Sequence, residues 1–368
     1  MTSSSSFAPH LQPESRVVLV DSSGVLFRCF DGYKEPRMGQ WDGRPVDMAA
    51  LFGYLYYLQR IYREFEFEDL IHVQDAPGGS FYRYQLFPEY KGHREERPLL
   101  ETPKAMLPSV LEAFGEKVVK RRGVEADDLI GALAHQLAEE GHMVMIVSND
   151  KDLMQLVNDN ISICRYVSDP QGPGKLHDVY GEKEVFEKLG VRPDQVADWL
   201  ALMGDDSDNI PGVANVGEKK AQKLIQDYGD IPTLITRAAE IKGALGENVR
   251  QALPHLPLYK KLTTILREVP GLVYPMSPEV SPEQRQKVFQ ALQWKEHWPQ
   301  RFEVKMEGFK EDFGLQNRPM APTNSPVATK SVAASQPTTM PDPRSAPIPP
   351  SSMTETSLPS PSRPKRIG

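Results

Sequence analysis

The chain has 368 residues and a net charge of −7, and this acidic balance by itself argues against a nucleic-acid partner. Only two cysteines occur, Cys29 and Cys164, which excludes a disulfide framework and predicts a reducing compartment. The first 15 residues lack the basic and apolar regions of a secretory signal, and no run approaches the ~20 apolar residues of a membrane span. We therefore expect a cytoplasmic protein without membrane contact.

The charge is distributed unevenly along the chain. Residues 315–368 carry six Lys and Arg against two Asp and Glu, a net charge of +4, which leaves −11 for residues 1–314. This last segment contains 12 prolines and no aromatic residue, so it cannot bury enough apolar surface to offset its chain entropy. We predict that residues 1–15 and 315–368 are disordered. The basic end of the tail is a solubilising segment or a contact for DNA or a protein partner.

The body of the chain alternates short apolar runs with helical periodicity. Apolar runs at 16–20, 69–74, 143–148 and 161–166 predict buried strands, and apolar residues at helical spacing predict helices over 46–65 and 126–140. Strand–helix alternation favours an α/β fold whose central, mostly parallel sheet is covered by helices.

Nine acidic residues lie where carboxylates do not help folding. Three of them, Asp21, Asp75 and Asp150, each end a predicted strand. The carboxyl ends of parallel strands meet at one edge of a sheet, which is where open α/β sheets bind ligands. The other six lie at a helix start, beside Asp150 or before a glycine-rich turn: Glu125, Asp127, Asp128, Asp152, Asp205 and Asp208.

Gathered carboxylates repel one another, so a positive charge must hold them together. Hard divalent cations such as Mg²⁺ and Mn²⁺ prefer oxygen ligands, which makes metal-assisted phosphate chemistry the leading hypothesis. A single aspartate at such a place is more often a helix cap or a turn former, and an acidic first turn suits the helix dipole. Neither alternative explains three acids at one helix start together with three at strand ends.

A glycine-bounded turn, GVANVG at 212–217, follows Asp205 and Asp208 and leads into a helix. Glycines let backbone N–H groups approach an anion closely, and a helix N-terminus favours that anion. We interpret this region as a phosphate clamp for duplex DNA, although without its acidic neighbours it would be an ordinary turn. The predicted DNA contacts are Gly212, Val213, Val216, Gly217, Lys219 and Lys220.

A basic, aromatic-rich stretch, SFYRYQLFPEYKGHREERP at 80–98, lies between Asp75 and Glu125. Basic groups interleaved with aromatic rings suit single-stranded nucleic acid, and the alternative is an amphipathic surface helix with a buried aromatic face. More basic residues follow at Lys104, Lys117, Lys120, Arg121 and Arg122. Four prolines in this part of the chain interrupt regular helix, so we predict a mobile element: Pro88, Pro98, Pro103 and Pro108.

Six motifs in this order resemble the 5′ nuclease family, which includes the 5′→3′ exonuclease domain of bacterial DNA polymerase I, phage 5′ exonucleases and flap endonucleases. The motifs are VLVD (18–21), the strand end at Asp75, RYQLFPEYKGHR (83–94), GVEADD (123–128), SNDKDL (148–153) and MGDDSDNIPGVANVGEKKA (203–221). The resemblance implies a PIN-like 5′ nuclease domain over 16–195 with a helical arch at about 83–122. It also implies a helical, helix–two-turn–helix subdomain over 196–305.

The same resemblance assigns roles to individual residues. It implies a first metal held by Asp21, Asp75, Glu125 and Asp127, and a second held or supported by Asp128, Asp150, Asp152, Asp205 and Asp208. Basic residues at the base of the arch match Arg83, Lys91 and Arg94, which we predict to be catalytic, and the turn at 212–217 matches a hairpin where K⁺ binds. The chain departs from its bacterial relatives at Ser22-Ser23-Gly24, where they often have a glycine and histidines.

We therefore expect a monomeric, nucleoid-associated enzyme that uses two Mg²⁺ ions, replaceable by Mn²⁺. It would trim 5′ ends and cut 5′ flaps or nicked DNA near single–double strand junctions, with RNA primers as a further substrate. Two alternatives stay open. One is a binder of branched DNA in which the acids hold a structural cation, and the other is a metal-dependent ribonuclease on a PIN-like scaffold.

Overall fold

The computed structural model describes residues 6–32, 36–94, 97–167 and 175–292, which fall within one unit, Met1–Arg318. Its strands are β1 (Arg16–Asp21), β2 (Met38–Trp41), β3 (Arg44–Asp47), β4 (Asp69–Val73), β5 (Lys117–Val119), β6 (Met143–Val147), β7 (Ile161–Val167) and β8 (Lys175–Tyr180). The helices are α1 (Ser22–Gly32), α2 (Ala49–Glu64), α3 (Phe81–Leu86), α4 (Pro98–Ala113), α5 (Ala126–Glu139), α6 (Glu182–Leu189), α7 (Val196–Met203), α8 (Glu218–Tyr228), α9 (Ile231–Arg237), α10 (Gly243–Ala252), α11 (Leu256–Thr263) and α12 (Pro282–Ala291).

A six-stranded sheet in the order β5-β4-β1-β6-β7-β8 forms the centre of the fold. Its first five strands are parallel, and β8 pairs antiparallel with β7. At the middle of the sheet Leu19 aligns with Ile71 on one side and Ile146 on the other. The predicted α/β class and mostly parallel sheet are confirmed.

Alternate residues of each strand enter two separate hydrophobic cores, one on each face of the sheet. Leu19 packs on the first face with α5 and with helices α7–α11, while Val18 and Val20 pack on the second with α1, α2, α4 and α12. A strand covered on both faces is apolar at nearly every position, which explains the run RVVLV before Asp21. Both faces of the central strands are therefore covered by packed helices.

The range 83–122, which we predicted to form the arch, contains regular packed structure. Helix α4 continues through Pro103 and Pro108 and buries its apolar side in the second core, and β5 joins the sheet beside β4. The prediction that these prolines interrupt a helix is wrong. The described residues between α3 and α4 are 87–94 and 97, and they form no helix or strand.

The prediction of a disordered N-terminus is also wrong for residues 6–15. Ala8 is only 1% exposed, and the Ser6 hydroxyl donates a hydrogen bond of 2.9 Å to the Glu140 carboxylate. The N–H of Phe7 donates to the same carboxylate at 2.5 Å, so Glu140 anchors this segment. Residues 1–5, the end of the predicted subdomain at 293–305 and the tail at 315–368 lie outside the described residues.

The predicted helical region after residue 196 contains α7 to α12. Among the described residues, no helix has the length and apolar character needed to cross a membrane.

Candidate metal and nucleic-acid site

Three adjacent strands bring the strand-end aspartates to one edge of the sheet. Asp21 is the last residue of β1, Asp75 follows β4, and Asp150 follows β6. Because β4, β1 and β6 are neighbours and parallel, all three residues lie at the same edge. The Asp75 carboxylate also accepts the Ala126 N–H at 2.9 Å, which brings the start of α5 to this edge.

Two hydrogen bonds hold Asp21 in one orientation, and its surroundings favour the protonated form of its carboxyl group. The Gly24 N–H donates to Asp21 Oδ1 at 2.9 Å, and the Ser148 hydroxyl donates to Oδ2 at 2.8 Å. Burial raises the pKa of Asp21 to about 6 despite these two hydrogen bonds, and the negative charges of Asp75 and Asp150 add to the rise. A Cβ atom at position 24 would lie 2.3 Å from Asp21 Oδ2, so a side chain there would displace the carboxylate.

Asp127 lies among the negative charges of this edge. Burial and then repulsion by Asp150 and Asp21 raise its pKa well above the usual range, and Lys91 opposes the shift only in part. Asp127 follows the residue whose N–H contacts Asp75, so the start of α5 places it among the strand ends. A cation bound here would relieve this repulsion.

A second group of acids extends from Asp150 toward the loop after α7. Burial and then the charge of Asp150 raise the pKa of Asp152, and Asp205 and Asp208 contribute further repulsion. Asp152 Oδ1 is buried and has no hydrogen-bond partner among the residues that the structure describes. An unpartnered buried carboxylate oxygen is costly, and a bound cation would satisfy it.

Asp205 is better neutralised than its neighbours. Its carboxylate accepts hydrogen bonds from Lys151 Nζ at 2.8 Å and from the Ser207 hydroxyl at 2.6 Å. Burial works against the charged form, but these contacts lower the pKa of Asp205. Lys151 therefore serves as a fixed counter-ion beside the second group.

Arg83, which we predicted to be catalytic, and Asp128, which we predicted to be a metal ligand, form a buried ion pair with each other. Arg83 donates from Nη1 to Asp128 Oδ2 at 2.5 Å and from Nη2 to Asp128 Oδ1 at 2.9 Å. Its remaining donors reach Glu125 at 2.9 Å and the carbonyl oxygens of Leu262 and Thr264. The guanidinium thus joins α3, α5 and α11, and both Asp128 oxygens are occupied.

Lys91 and Arg94, which we predicted to be catalytic, lie next to the acids. Lys91 Nζ contacts the Glu125 carboxylate directly and lies 3.9 Å from Asp208 Oδ1. Arg94 Nη2 donates to Asp208 Oδ1 at 2.8 Å, yet 54% of its side chain is exposed. Burial works against the charge of Lys91, but Glu125 and Asp208 raise its pKa, so it remains a cation at neutral pH.

The glycine turn connects α7 to α8 beside the second group. Gly212 has φ of +64°, and a Cβ atom there would lie 2.4 Å from the Gly204 nitrogen, so the fold requires glycine. Gly217, which precedes α8, has ordinary φ and open space where a Cβ would lie. Lys219 and Lys220 are exposed on α8.

Val213 and Val216 do not face solvent. Both side chains are buried, the Val213 N–H donates to the Leu202 carbonyl at 2.9 Å, and the Val216 N–H donates to Val213 at 3.0 Å. These two residues anchor the turn to the core, which corrects the prediction that they contact DNA.

Three residues of this site were missed by sequence reasoning. Ser148 fixes Asp21, Lys151 pairs with Asp205, and the Tyr90 hydroxyl donates its one proton to Asp208 at 2.8 Å while lying 3.2 Å from Glu125. Ser148 and Lys151 lie inside the motif SNDKDL, so their proximity to Asp150 was a usable signal. Tyr90 resembled a stacking ring, and nothing in its local sequence indicated a buried hydroxyl.

Seven of the nine predicted ligands divide into two electrostatic groups that share Asp150, while Glu125 and Asp128 contact Arg83 instead. One contains Asp21, Asp75, Asp127 and Asp150, and the other contains Asp150, Asp152, Asp205 and Asp208. Within the described part of the chain, no three His, Cys, Asp or Glu side chains are already arranged to coordinate one ion. The raised pKa values and the unpartnered Asp152 oxygen nevertheless fit a cation, because both are relieved by positive charge.

Known proteins are similar to this chain in sequence. Residues 16–190 match the 5′-3′ exonuclease N-terminal resolvase-like domain, and residues 191–286 match the 5′-3′ exonuclease C-terminal SAM fold. The chain is 35% identical to DNA polymerase I of Bacillus caldotenax over 261 residues, which is 70% of this chain and 28% of that protein. It is 32% identical to a 5′-3′ exonuclease of Buchnera aphidicola over 67% of this chain and 82% of that protein.

A solved structure shares the fold at low sequence identity. The flap endonuclease of bacteriophage T5, in a complex with DNA and metal ions, superposes with a TM-score of 0.54 at 20% identity, covering 80% of this chain and 99% of the phage protein. The chain spans less than a third of the DNA polymerase I relatives that it matches. Both matched domains and the Buchnera relative lead to one conclusion: the chain belongs to the 5′-3′ exonuclease family.

Proposed function

We propose that this chain is a metal-dependent 5′ nuclease that hydrolyses phosphodiester bonds of branched or nicked DNA near single–double strand junctions. The observation that carries the proposal is the edge formed by β4, β1 and β6. There, Asp21, Asp127 and Asp152 all have raised pKa values, while Lys91 and Arg94 lie beside them. Such an edge suits divalent cations together with an anionic substrate.

Two divalent cations fit the two acidic groups, with Asp150 between them. Mg²⁺ is the expected ion and Mn²⁺ a substitute, since both take oxygen ligands. When bound, such ions lower the pKa of a water nucleophile and stabilise charge on the phosphate and the leaving oxygen. Glu125, whose carboxylate is already shared by Arg83, Tyr90 and Lys91, would support the first group from outside.

The protein's own cations would bind and orient the scissile phosphate. Arg94 is half exposed, and Lys91 reaches the acids from a loop residue with φ of +56°. In the absence of substrate both pair with carboxylates, so they are already positioned where a phosphate would enter. Lys91 would then exchange Glu125 for a phosphate oxygen and neutralise charge in the transition state.

The turn before α8 would position the duplex without identifying its bases. Neither the backbone angle nor the packing at position 217 requires a glycine. The missing side chain would leave the start of α8 open to a phosphate. Lys219 and Lys220 add positive charge there. A monovalent cation such as K⁺ at 212–217 remains a prediction.

The decisive assay uses a 5′-labelled DNA flap, a nicked duplex, an RNA–DNA hybrid and single-stranded RNA, each with Mg²⁺ and with EDTA. We expect the flap to be cut only with Mg²⁺, and Asp150→Asn to abolish cleavage while duplex binding survives. Asp150 is exposed, so this variant should keep its fold, which thermal melting would check. Cleavage of RNA alone, or of the flap by Asp150→Asn at the wild-type rate, contradicts the proposal.

A second test isolates the role of the turn. Gly217→Ala should weaken duplex binding about threefold to tenfold, because a methyl group would obstruct the phosphate, while the poorer helix cap costs about 0.5–1 kcal/mol in stability. Gly212→Ala is the matched control, since strain at positive φ should destabilise the fold itself. Unchanged duplex affinity in Gly217→Ala would remove the turn from the DNA interface.

A further inference from the structure

The glycine turn at 212–217 is the place where we predict a monovalent cation such as K⁺. Proteins hold such an ion with backbone carbonyl oxygens, which replace its hydration shell. The oxygens must therefore be free to face the ion, and no other cation should lie beside them. In the described part of the chain, four carbonyl oxygens of the turn accept hydrogen bonds, those of Val213, Ala214, Asn215 and Gly217.

Two of these four oxygens are used by the backbone itself. The Val216 N–H donates to the Val213 carbonyl at 3.0 Å, and the Ala221 N–H donates to the Gly217 carbonyl at 3.0 Å. The first bond closes the turn, and the second is the first hydrogen bond of α8. Both belong to the local fold, so they would form with or without a bound ion.

The other two oxygens belong to exposed residues and are contacted by side chains from outside the turn. The Asn248 amide, on α10, donates to the Ala214 carbonyl at 2.8 Å. The Lys220 ammonium, in the first turn of α8, donates to the Asn215 carbonyl at 2.7 Å. Without these two side chains, both oxygens would be available to an ion from solution.

Lys220 brings a positive charge of its own to the turn. Among the described residues it forms no ion pair with a carboxylate, whereas Lys223, one helical turn later, pairs with Asp227 at 2.6 Å. A K⁺ ion on the Asn215 oxygen would share that oxygen with the Lys220 ammonium, and two like charges so close together repel each other. The turn therefore does not fit K⁺ while Lys220 is in place.

We propose that the Lys220 ammonium takes the place of a monovalent cation at the glycine turn, so that duplex binding by this chain does not depend on K⁺. The ammonium holds the Asn215 carbonyl as a bound ion would, and its two other N–H donors remain for a phosphate at the start of α8. This inference rests on the proposed function, and it names the charge that the turn uses.

The first measurement compares salts. Fluorescence anisotropy in EDTA would follow the full chain on a blunt hairpin duplex in chlorides of K⁺, Na⁺, Li⁺ or tetramethylammonium at one ionic strength. Tetramethylammonium is too large to sit among carbonyl oxygens, yet the wild-type Kd should agree within about twofold in all four salts. Lys220→Ala should bind about fivefold to tenfold more weakly in tetramethylammonium, because a charge near the phosphate is lost. K⁺ should recover about threefold of that loss by binding the freed carbonyl.

The second measurement needs no DNA. Thermal melting would compare the wild type and Lys220→Ala in the K⁺ and tetramethylammonium salts. K⁺ should raise the Tm of Lys220→Ala by about 2 °C, since an ion that binds only the folded turn stabilises it. The wild-type Tm should be the same in both salts. The same melting curves verify that the variant is folded.

Three variants separate the loss of charge from the opening of the turn. Lys219→Ala removes the neighbouring exposed cation and should weaken duplex binding alike in every salt. Asn248→Ala frees the Ala214 carbonyl but keeps the ammonium, so it should show no preference for K⁺. Lys223→Ala removes a cation of α8 that is already paired with Asp227, and it should bind the duplex like the wild type.

The inference is overturned if the wild-type Kd or Tm depends on K⁺, because an ion would then bind beside Lys220. It is also overturned if Lys220→Ala responds to K⁺ no more than the wild type does, because Lys220 would then occupy no ion's place. The proposed function fails differently, through the absence of Mg²⁺-dependent flap cleavage by the wild-type chain, which the melting comparison does not require. The two failures are therefore distinguishable.

Discussion

The start of α5 and the loop that follows β6 both collect acidic side chains, but they neutralise them in different ways. At α5, Glu125 and Asp128 surround the buried guanidinium of Arg83, and every oxygen of Asp128 has a partner. Around the loop, Asp150 and Asp152 repel each other, and one Asp152 oxygen has no hydrogen-bond partner among the described residues. Asp128, whose oxygens are both hydrogen-bonded, stabilises the fold, whereas Asp152 Oδ1, with only Lys151 Nζ at 3.8 Å in the described part of the chain, keeps its capacity for a cation.

Asp127 and Asp128 are neighbours in sequence that fall on opposite sides of this division. Removing the Asp127 charge should relieve repulsion without metal but remove a metal ligand. We expect Asp127→Asn to lose about 5 kcal/mol of transition-state stabilisation, a several-thousand-fold slower flap cleavage with Mg²⁺. In EDTA its melting temperature should equal or exceed that of the wild type. Single-turnover cleavage and thermal melting test both; a destabilised but active Asp127→Asn would place Asp127 with the paired acids.

Substitution of Arg83 tests whether the ion pair with Asp128 stabilises the fold. Because Arg83→Met leaves Asp128 buried and uncompensated, unfolding free energy should fall by about 3–5 kcal/mol. The double variant Arg83→Met/Asp128→Leu should recover part of that loss, since no charge then remains buried. Urea denaturation of the single and double variants provides the measurement. An Arg83→Met protein with wild-type stability and no cleavage would restore the catalytic role that the sequence predicted.

The pKa of Asp21 gives the smallest of these effects. A carboxyl whose pKa is raised to about 6 in the fold binds protons more readily there than in the unfolded chain. Its charged form therefore destabilises the metal-free protein above pH 6, by about 3 kcal/mol, and this cost disappears as the pH falls toward 4. In EDTA, Asp21→Asn should be more stable than the wild type at pH 7.5 and equal to it near pH 4.

Denaturation of Asp21→Asn and the wild type at several pH values, with and without Mg²⁺, would measure this difference. Added Mg²⁺ should stabilise the wild type much more than Asp21→Asn, because the metal neutralises the Asp21 carboxylate that the variant lacks. A stability difference that does not change with pH would show that Asp21 is ionised at all these pH values.

The strand ends could be predicted because their signal is local. An apolar run followed by an aspartate fixes both the strand and the position of its carboxylate, and this held for Asp21, Asp75 and Asp150. The division among Glu125, Asp127 and Asp128 could not be predicted, because it depends on Arg83, which lies more than 40 residues away in the chain. No periodicity reports such a contact.

Two features of the fold were predicted wrongly or missed because they depend on tertiary contacts. Helix α4 continues through two prolines, each of which costs about 3 kcal/mol in a helix interior. Its buried Leu100, Met106, Leu107, Val110 and Leu111 offset that cost at about 1.5–3 kcal/mol each. Strand β5 has only three residues, too few for a periodic pattern, and its place depends on pairing with β4.

Gly24 has a consequence for how this protein tolerates change. It lies inside α1, where alanine would normally add about 1 kcal/mol of helix stability. The methyl group would, however, occupy the space of Asp21 Oδ2. A search for thermostable variants that favours alanine in helices would therefore displace the carboxylate at the end of β1, even though position 24 is exposed. The helix is kept weaker than it need be so that one oxygen atom has room.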